Sequence, residues 1–339
     1  MAQQVPPVLE VSNLSKTYWR GQNKVEAVRD LSFAGFPGEI LGILGPNGSG
    51  KTTTIKSIAT IVDFEVGTIR VAGHNNQSSR LKVLANLGAV LEGARNIYWT
   101  LTPEENAIYF AGLHGLSKKN IQPLLDDMFS SLDLDKYRGR QVGELSKGNQ
   151  QKVAVCCALI ANPRVVLLDE PTLGLDVETT FHMRRWLREH VAKHQIFALV
   201  TSHDMRFIES ICDRVIIIKN GSIVTQGTVA ELRASFAKRL FEITLKTPLT
   251  PAQEAELSAR NIDVRVFPEA ACTRLHLLLT ESEKLYSFFD VLSRERQEII
   301  SITTDESDLE EIFLSLVQEQ KVHEQKADGQ NVDGQRSHS

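Results

Sequence analysis

Cysteine is scarce: four in 339 residues, and no C-x-x-C spacing among them. That gives no sign of a disulfide framework and fits a reducing cytosol. Cys156 and Cys157 stand in an apolar helical run and read as small core residues. Long hydrophobic runs are missing too. Stretches such as Val153–Ala161 fall far short of the ~20 residues that span a bilayer. The start Met1-Ala2-Gln3-Gln4 has neither a basic region nor an apolar core, so no secretory signal is expected. No charge of one sign prevails. The net charge of −4 argues against a protein whose main task is gripping nucleic acid. With 42% hydrophobic residues, the chain is expected to form one large domain plus a smaller one, or two domains. It reads as a cytosolic protein unless a partner holds it at a membrane.

The clearest positive feature is Gly45-Pro46-Asn47-Gly48-Ser49-Gly50-Lys51-Thr52, which fits G-x-x-x-x-G-K-[ST] at every defined position. Ile40–Leu44 reads as a buried strand leading in, and Thr53 to Ile61 as a helix leading out. Successive backbone N–H groups at such a helix start form a concave donor nest for phosphate oxygens. Glycines without Cβ let the backbone approach those oxygens. Residues 45–53 are therefore candidate nucleotide contacts, with Lys51 reaching the β/γ-phosphates and the Thr52 hydroxyl binding Mg²⁺. A nucleoside triphosphate is the expected ligand.

Val8–Val11, Leu31–Phe33 and Gly67–Val71 look like short strands around that loop. Val165–Leu168 and Ile196–Val200 are continuous apolar runs of the kind found in parallel strands covered on both faces. Between them and the loop, a mainly helical insert is expected over about 93–161, with Pro103-Glu104-Glu105 and Pro123-Leu124-Leu125 as helix starts. Asn220-Gly221 between Val215–Ile218 and Ser222–Val224 predicts a tight hairpin, because that turn needs positive φ. Past Lys238 the order changes to βαββαβ plus a last helix. Thr250-Pro251-Ala252-Gln253 and Ser307-Asp308-Leu309-Glu310 are the helix starts with capping signals. That order suggests a small ferredoxin-like α+β domain over 239–318, followed by a polar tail at 319–339 expected to be disordered.

Phosphoryl transfer to water needs a metal, a positioned water and neutralisation of the γ-phosphate. Asp169 ends the Val165–Leu168 run and is placed to hold Mg²⁺; Glu170 follows and could polarise the attacking water. His203, just past the next apolar run, could donate to the γ-phosphate, although a lone histidine there is also compatible with a structural role. Leu145-Ser146-Lys147-Gly148-Asn149 opens a second helix with Ser146 as a good N-cap and free N–H groups at its start. One triphosphate cannot easily use both nests in one subunit. That points to a site completed by another subunit, or else to a simple capped helix.

In this order of motifs, residues 8 to about 235 resemble the ATP-binding cassette (ABC) family. Gly45–Thr52 resembles the Walker A loop, Leu145–Asn149 the signature and Val165–Glu170 the Walker B strand with its catalytic glutamate. Gly174-Leu175-Asp176 is similar to the D-loop, His203 to the switch histidine, and Tyr18 to the aromatic that stacks on adenine. The resemblance implies a P-loop NTPase core over 1–238, with an antiparallel β subdomain and a helical subdomain. It further implies ATP and Mg²⁺ as ligands. Two cassettes would sandwich each ATP head to tail, Ser146 and Gly148 of one chain meeting the γ-phosphate held by the other. Three positions depart from the family pattern, one of them Asn149, which stands where the signature usually has glutamine. Glu92 stands after Leu87–Leu91 where a metal-contacting glutamine is usual, and Lys147 replaces a signature glycine. The region past Leu240, ending Asp308-Leu309-Glu310-Glu311-Ile312-Phe313, resembles the extension of daunorubicin-resistance-type exporter ATPases. An ATPase docked on a separate membrane permease at the cytoplasmic face, near Glu92–Glu105, is the function implied. A non-transport ABC ATPase and a small-molecule kinase are the competing classes.

Overall fold

The computed structural model describes residues 5–21, 23–92, 96–236, 239–260, 262, 264–268, 272–279, 282–294 and 297–305. The chain divides between Val229 and Ala230 into two compact units. The Ser307–Glu310 capping signal, the helix expected after it and the polar tail lie outside the described residues.

The first unit opens on β1 (Leu9–Arg20) and β2 (Asn23–Gly35), an antiparallel pair. Both strands are longer than their apolar patches suggested. Lys16 to Arg20 pairs with Asn23 to Val28 along the hairpin's outer half, and register shifts fall between Val11 and Thr17. Next come β3 (Ile40–Leu44), α1 (Lys51–Ile58), β4 (Val66–Val71), β5 (His74–Asn75), α2 (Arg80–Leu84) and β6 (Leu87–Val90). Three helices follow: α3 (Pro103–Leu113), α4 (Lys118–Ser131) and α5 (Lys147–Leu159). The unit continues with β7 (Val165–Asp169), α6 (Val177–His194), β8 (Phe197–Thr201), α7 (Met205–Ile211), β9 (Arg214–Lys219) and β10 (Ser222–Thr228).

These strands form two sheets. One is antiparallel in the order β2-β1-β4-β5; the other runs β10-β9-β3-β8-β7-β6 and is parallel except for β10 at its edge. Strands β3, β7 and β8 are buried at every residue, which is why they read as unbroken apolar runs. Leu9, Leu31, Leu41, Ile55, Ile69, Leu167 and Phe197 belong to one core. Each such side chain contributes about 1.5–3 kcal/mol by leaving water. Gly35 is required there because a Cβ would enter the Phe197 ring. Asn220 (φ 49°) and Gly221 (φ 82°) make the expected tight turn between β9 and β10. Thr102 and Glu105 close a reciprocal capping box on α3, with Pro103 in its first turn.

Because β3, β8, β7 and β6 are parallel neighbours, their carboxyl ends share one edge of the sheet. Ligands of open α/β sheets bind outside that edge. The phosphate loop, Asp169-Glu170, Ser202-His203 and Leu91-Glu92 all follow directly from those four strand ends. That topology assembles the site.

After α8 (Val229–Phe236), the second unit contains β11 (Arg239–Leu245), α9 (Pro251–Ala259), β12 (Val264–Pro268), β13 (Thr273–Leu279), α10 (Ser282–Arg294) and β14 (Ile299–Asp305). The sheet order is β12-β13-β11-β14, all antiparallel. Phe241, Ile243, Leu275, Leu277, Leu257 and Phe288 share its core. Thr250 and Gln253 form a reciprocal capping box on α9, with Pro251 in the first turn. Among the described residues no helix is long and apolar enough to cross a membrane.

Candidate nucleotide site

A cleft of about 570 Å³ lies at the carboxyl edge of the parallel sheet. Asn47 to Thr53 form one wall, and Tyr18, Glu92, Asp169, Glu170 and His203 complete it together with Ala27 and Leu173. Twelve of the expected contacts, from Tyr18 to His203 in sequence, thus meet in one cavity. Gly45 and Pro46 lie outside its lining, but their carbonyls hold Lys51, whose Nζ donates to Gly45 O at 2.7 Å and to Pro46 O at 3.2 Å.

The loop's shape depends on its glycines. Gly48 (φ 80°) and Gly50 (φ 107°) occupy left-handed backbone, and a Cβ on Gly50 would strike the Ala27 carbonyl. Thr54 donates its hydroxyl to Gly50 O at 2.9 Å and locks the first turn of α1. Burial pushes the Lys51 pKa below its usual value, while the charges of Glu170, Asp169 and Glu92 pull it back up.

Asp169 is 3% exposed. Its Oδ1 accepts from the Thr201 hydroxyl, whereas Oδ2 is buried with no hydrogen-bond partner. Glu170 has φ 52°, a strained backbone for a residue with a side chain. Its N–H donates to Thr201 O at 3.1 Å and to Thr201 Oγ1 at 3.3 Å, which helps hold that conformation. Glu170 Oε2 accepts from Ser202 Oγ at 3.3 Å and lies 2.9 Å from His203 Nδ1. Thr201 and Ser202 carried no assigned role in the sequence. A buried hydroxyl at the end of an otherwise apolar strand was the one available signal for Thr201.

The orphaned Asp169 oxygen, the Thr52 hydroxyl and Glu92 form a hard-oxygen donor set suited to Mg²⁺. Among the described residues no group of three or more His, Cys, Asp or Glu could hold a metal alone. A metal here would therefore draw the rest of its shell from the ligand or water, as Mg²⁺ does at phosphate sites.

Besides Gly45 and Pro46, three expected contacts do not line the cleft: Ser146, Gly148 and Asp176. Ser146 caps α5, its side chain accepting from Asn149 N at 3.3 Å. Asp176 caps α6 by accepting from Thr179 N at 2.7 Å, a bond that lowers its pKa. A Cβ on Gly148 would come within 3.4 Å of Leu175 Cδ2, so the α5 start and the Gly174–Asp176 loop are close neighbours.

A family model described as ABC transporter matches residues 28–173. The ABC transporter ATP-binding protein NatA of Bacillus subtilis is 34% identical over 228 residues, covering 67% of this chain and 92% of NatA. The daunorubicin/doxorubicin resistance ATP-binding protein DrrA of Streptomyces peucetius is 28% identical over 314 residues, 91% of this chain and 92% of DrrA. A solved ATP-binding subunit of an ABC transporter matches with a TM-score of 0.61 and 29% identity, covering 68% of this chain and 93% of that one. With an ordered phosphate loop, paired acidic residues and histidine in one cleft, this chain belongs to the ABC transporter family as one of its ATP-binding, ATP-hydrolysing subunits.

Proposed function

We propose that the chain energises a separate membrane permease and that transport is outward. The observation that carries the reading is the split between the two anion-binding helix starts. The α1 start lines the cleft with Lys51, Asp169, Glu170 and His203, while the α5 start capped by Ser146 does not. A second copy of the chain would bring its Ser146 and Gly148 to the γ-phosphate, with Asp176 shaping the contact. Leu173, Val177 and Phe181 are half or more exposed beside that face, which favours a protein partner there.

In this reading the phosphate loop and Lys51 hold the triphosphate and Tyr18 stacks on the base. Thr52, Asp169 and Glu92 hold Mg²⁺, which when bound neutralises charge on the β- and γ-phosphates. Glu170 accepts a proton from the water whose oxygen bonds to the γ-phosphorus, and the bond from that phosphorus to the bridging oxygen breaks. His203 donates to the γ-phosphate and restrains the Glu170 carboxylate. Closure of two cassettes on ATP and their release after hydrolysis would drive the permease.

Tyr98 and Tyr109 pack edge to face and are exposed just past Glu92, as are Trp99 and Leu113, which suits this stretch to a permease segment. The resistance protein among the relatives supports export as the direction. The second unit's βαββαβ order and its β12-β13-β11-β14 sheet support a ferredoxin-like accessory domain. Isolation of the chain in detergent with a polytopic membrane protein that stimulates its ATP turnover tests the whole reading. ATP turnover with only soluble partners would favour a non-transport ABC ATPase instead.

A further inference from the structure

Three carboxylates and one lysine share the nucleotide cleft. Glu92, Asp169 and Glu170 line it with Lys51, an excess of two formal negative charges among these four groups. The Lys51 ammonium donates to the Gly45 and Pro46 carbonyls, and it meets the charge of the buried acid only through space. Asp169 Oδ2 is left buried and unpartnered, a state held at a cost unless a cation reaches it. No three acidic or imidazole groups among the described residues can hold that cation without help. A cation reaching that oxygen would take its remaining ligands from elsewhere, as phosphate oxygens can supply.

Glu92 is the unusual member of this set, and the backbone leading into it is anchored. Leu91 N donates to Asn96 Oδ1 at 3.0 Å, and Asn96 Nδ2 donates to Leu91 O at 3.0 Å. Both backbone groups of the residue before Glu92 are thereby held at the end of β6. An amide at position 92 would be neutral; the carboxylate adds a full like charge facing a triphosphate.

We propose that Glu92 makes nucleotide binding conditional on a divalent cation, so that the cleft takes the metal–triphosphate pair and rejects the bare triphosphate. Without a cation, the triphosphate's negative charges meet the excess carboxylates. With one, the same carboxylates become attractive to the pair. The inference rests on the nucleotide-site reading above and adds a selection rule set by one residue.

The test is equilibrium binding of ATP to the full chain by calorimetry, once in excess magnesium and once in excess EDTA. The ratio of the two affinities is the readout, and no turnover is required. Wild type should bind far more weakly in EDTA. Glu92→Gln should shrink the ratio by on the order of tenfold, through tighter binding in EDTA, as expected for deleting one unit charge near the phosphates. Glu92→Asp, which keeps the charge, should keep the ratio. Should Glu92→Gln bind in neither condition, Glu92→Ala is read in the same way. Equal ratios for wild type and the neutral variants overturn the inference while leaving the site intact. Failure of wild type to bind ATP in magnesium overturns the nucleotide-site reading and this inference with it.

Discussion

His203 Nδ1 lies 2.9 Å from Oε2 of Glu170, and Ser202 Oγ donates to the same carboxylate oxygen from 3.3 Å. The group proposed to take a proton from water is thus steered from two sides, on a backbone already in the left-handed region.

Glu170→Gln keeps the side chain's shape and removes its basicity. ATP turnover should fall by roughly 10²–10⁴-fold, the usual contribution of a general base. Binding should persist, so ATP should accumulate a dimer of the chain. Size-exclusion chromatography in saturating ATP checks this; a variant that elutes as a monomer there would count against the sandwich.

Tyr18 lines the cleft on the β1–β2 hairpin, paired with Val25, and Lys16 Nζ lies 5.2 Å from its ring centroid. Tyr18→Ala should weaken ATP binding by roughly 5- to 150-fold, since stacking of a base on an aromatic is worth ~1–3 kcal/mol. Tyr18→Phe should bind as wild type does. A fluorescence titration with ATP separates the two, and equal affinities for all three proteins would remove Tyr18 from the site.

Thr201 donates to Asp169 and accepts from the Glu170 N–H. Thr201→Val matches its volume but strands the buried Asp169 Oδ1 and leaves the Glu170 N–H with only its bond to the Thr201 carbonyl. The cost should be about 1–3 kcal/mol, seen as a lower urea midpoint with the slope unchanged. Turnover should drop with it, because Asp169 and Glu170 lose a common tether. A variant with wild-type stability and rate would show that this hydroxyl is dispensable.

His190 stacks between Trp186 at 4.9 Å and His194 at 4.3 Å, and it is 4% exposed. Burial, helped by the neighbouring His194 and opposed by Asp127, pushes its pKa down to about 4. An unfolded histidine takes up its proton near pH 6.5. Between these values the unfolded state binds more protons, so stability is intact above pH ~6.5 and falls as pH drops toward 4. The loss should reach about 3 kcal/mol. His194, whose pKa is also lowered by burial, acts in the same direction. Urea midpoints of the chain measured across that window should fall with pH for wild type and more shallowly for His190→Gln. Parallel curves would rule out His190 as the source.

The nucleotide-binding half of the site was legible because its signals are local. A glycine loop needs positive φ at fixed offsets, and a buried parallel strand needs an apolar run before its terminal acid. The hairpin of β1 and β2 was underestimated for the opposite reason. Its outer half mixes charged residues with the exposed Tyr18, Trp19 and Val25, and cross-strand pairing rather than hydrophobic alternation extends it. Thr201 and Asn96 went unassigned because each acts through a partner chosen by topology, one from the neighbouring strand and one across a short loop.

By itself, the amino-acid order determined the phosphate loop, the strand-end carboxylates, the capped starts of α3, α5 and α9, and hence the class of chemistry. These depend on contacts within a few residues. Only the tertiary structure decided that Glu92, Asp169 and Lys51 share one cleft while Ser146 stays outside it. That outcome depends on which parallel strands lie side by side, and their hydrogen bonds join backbones irrespective of the side chains each strand carries to its end.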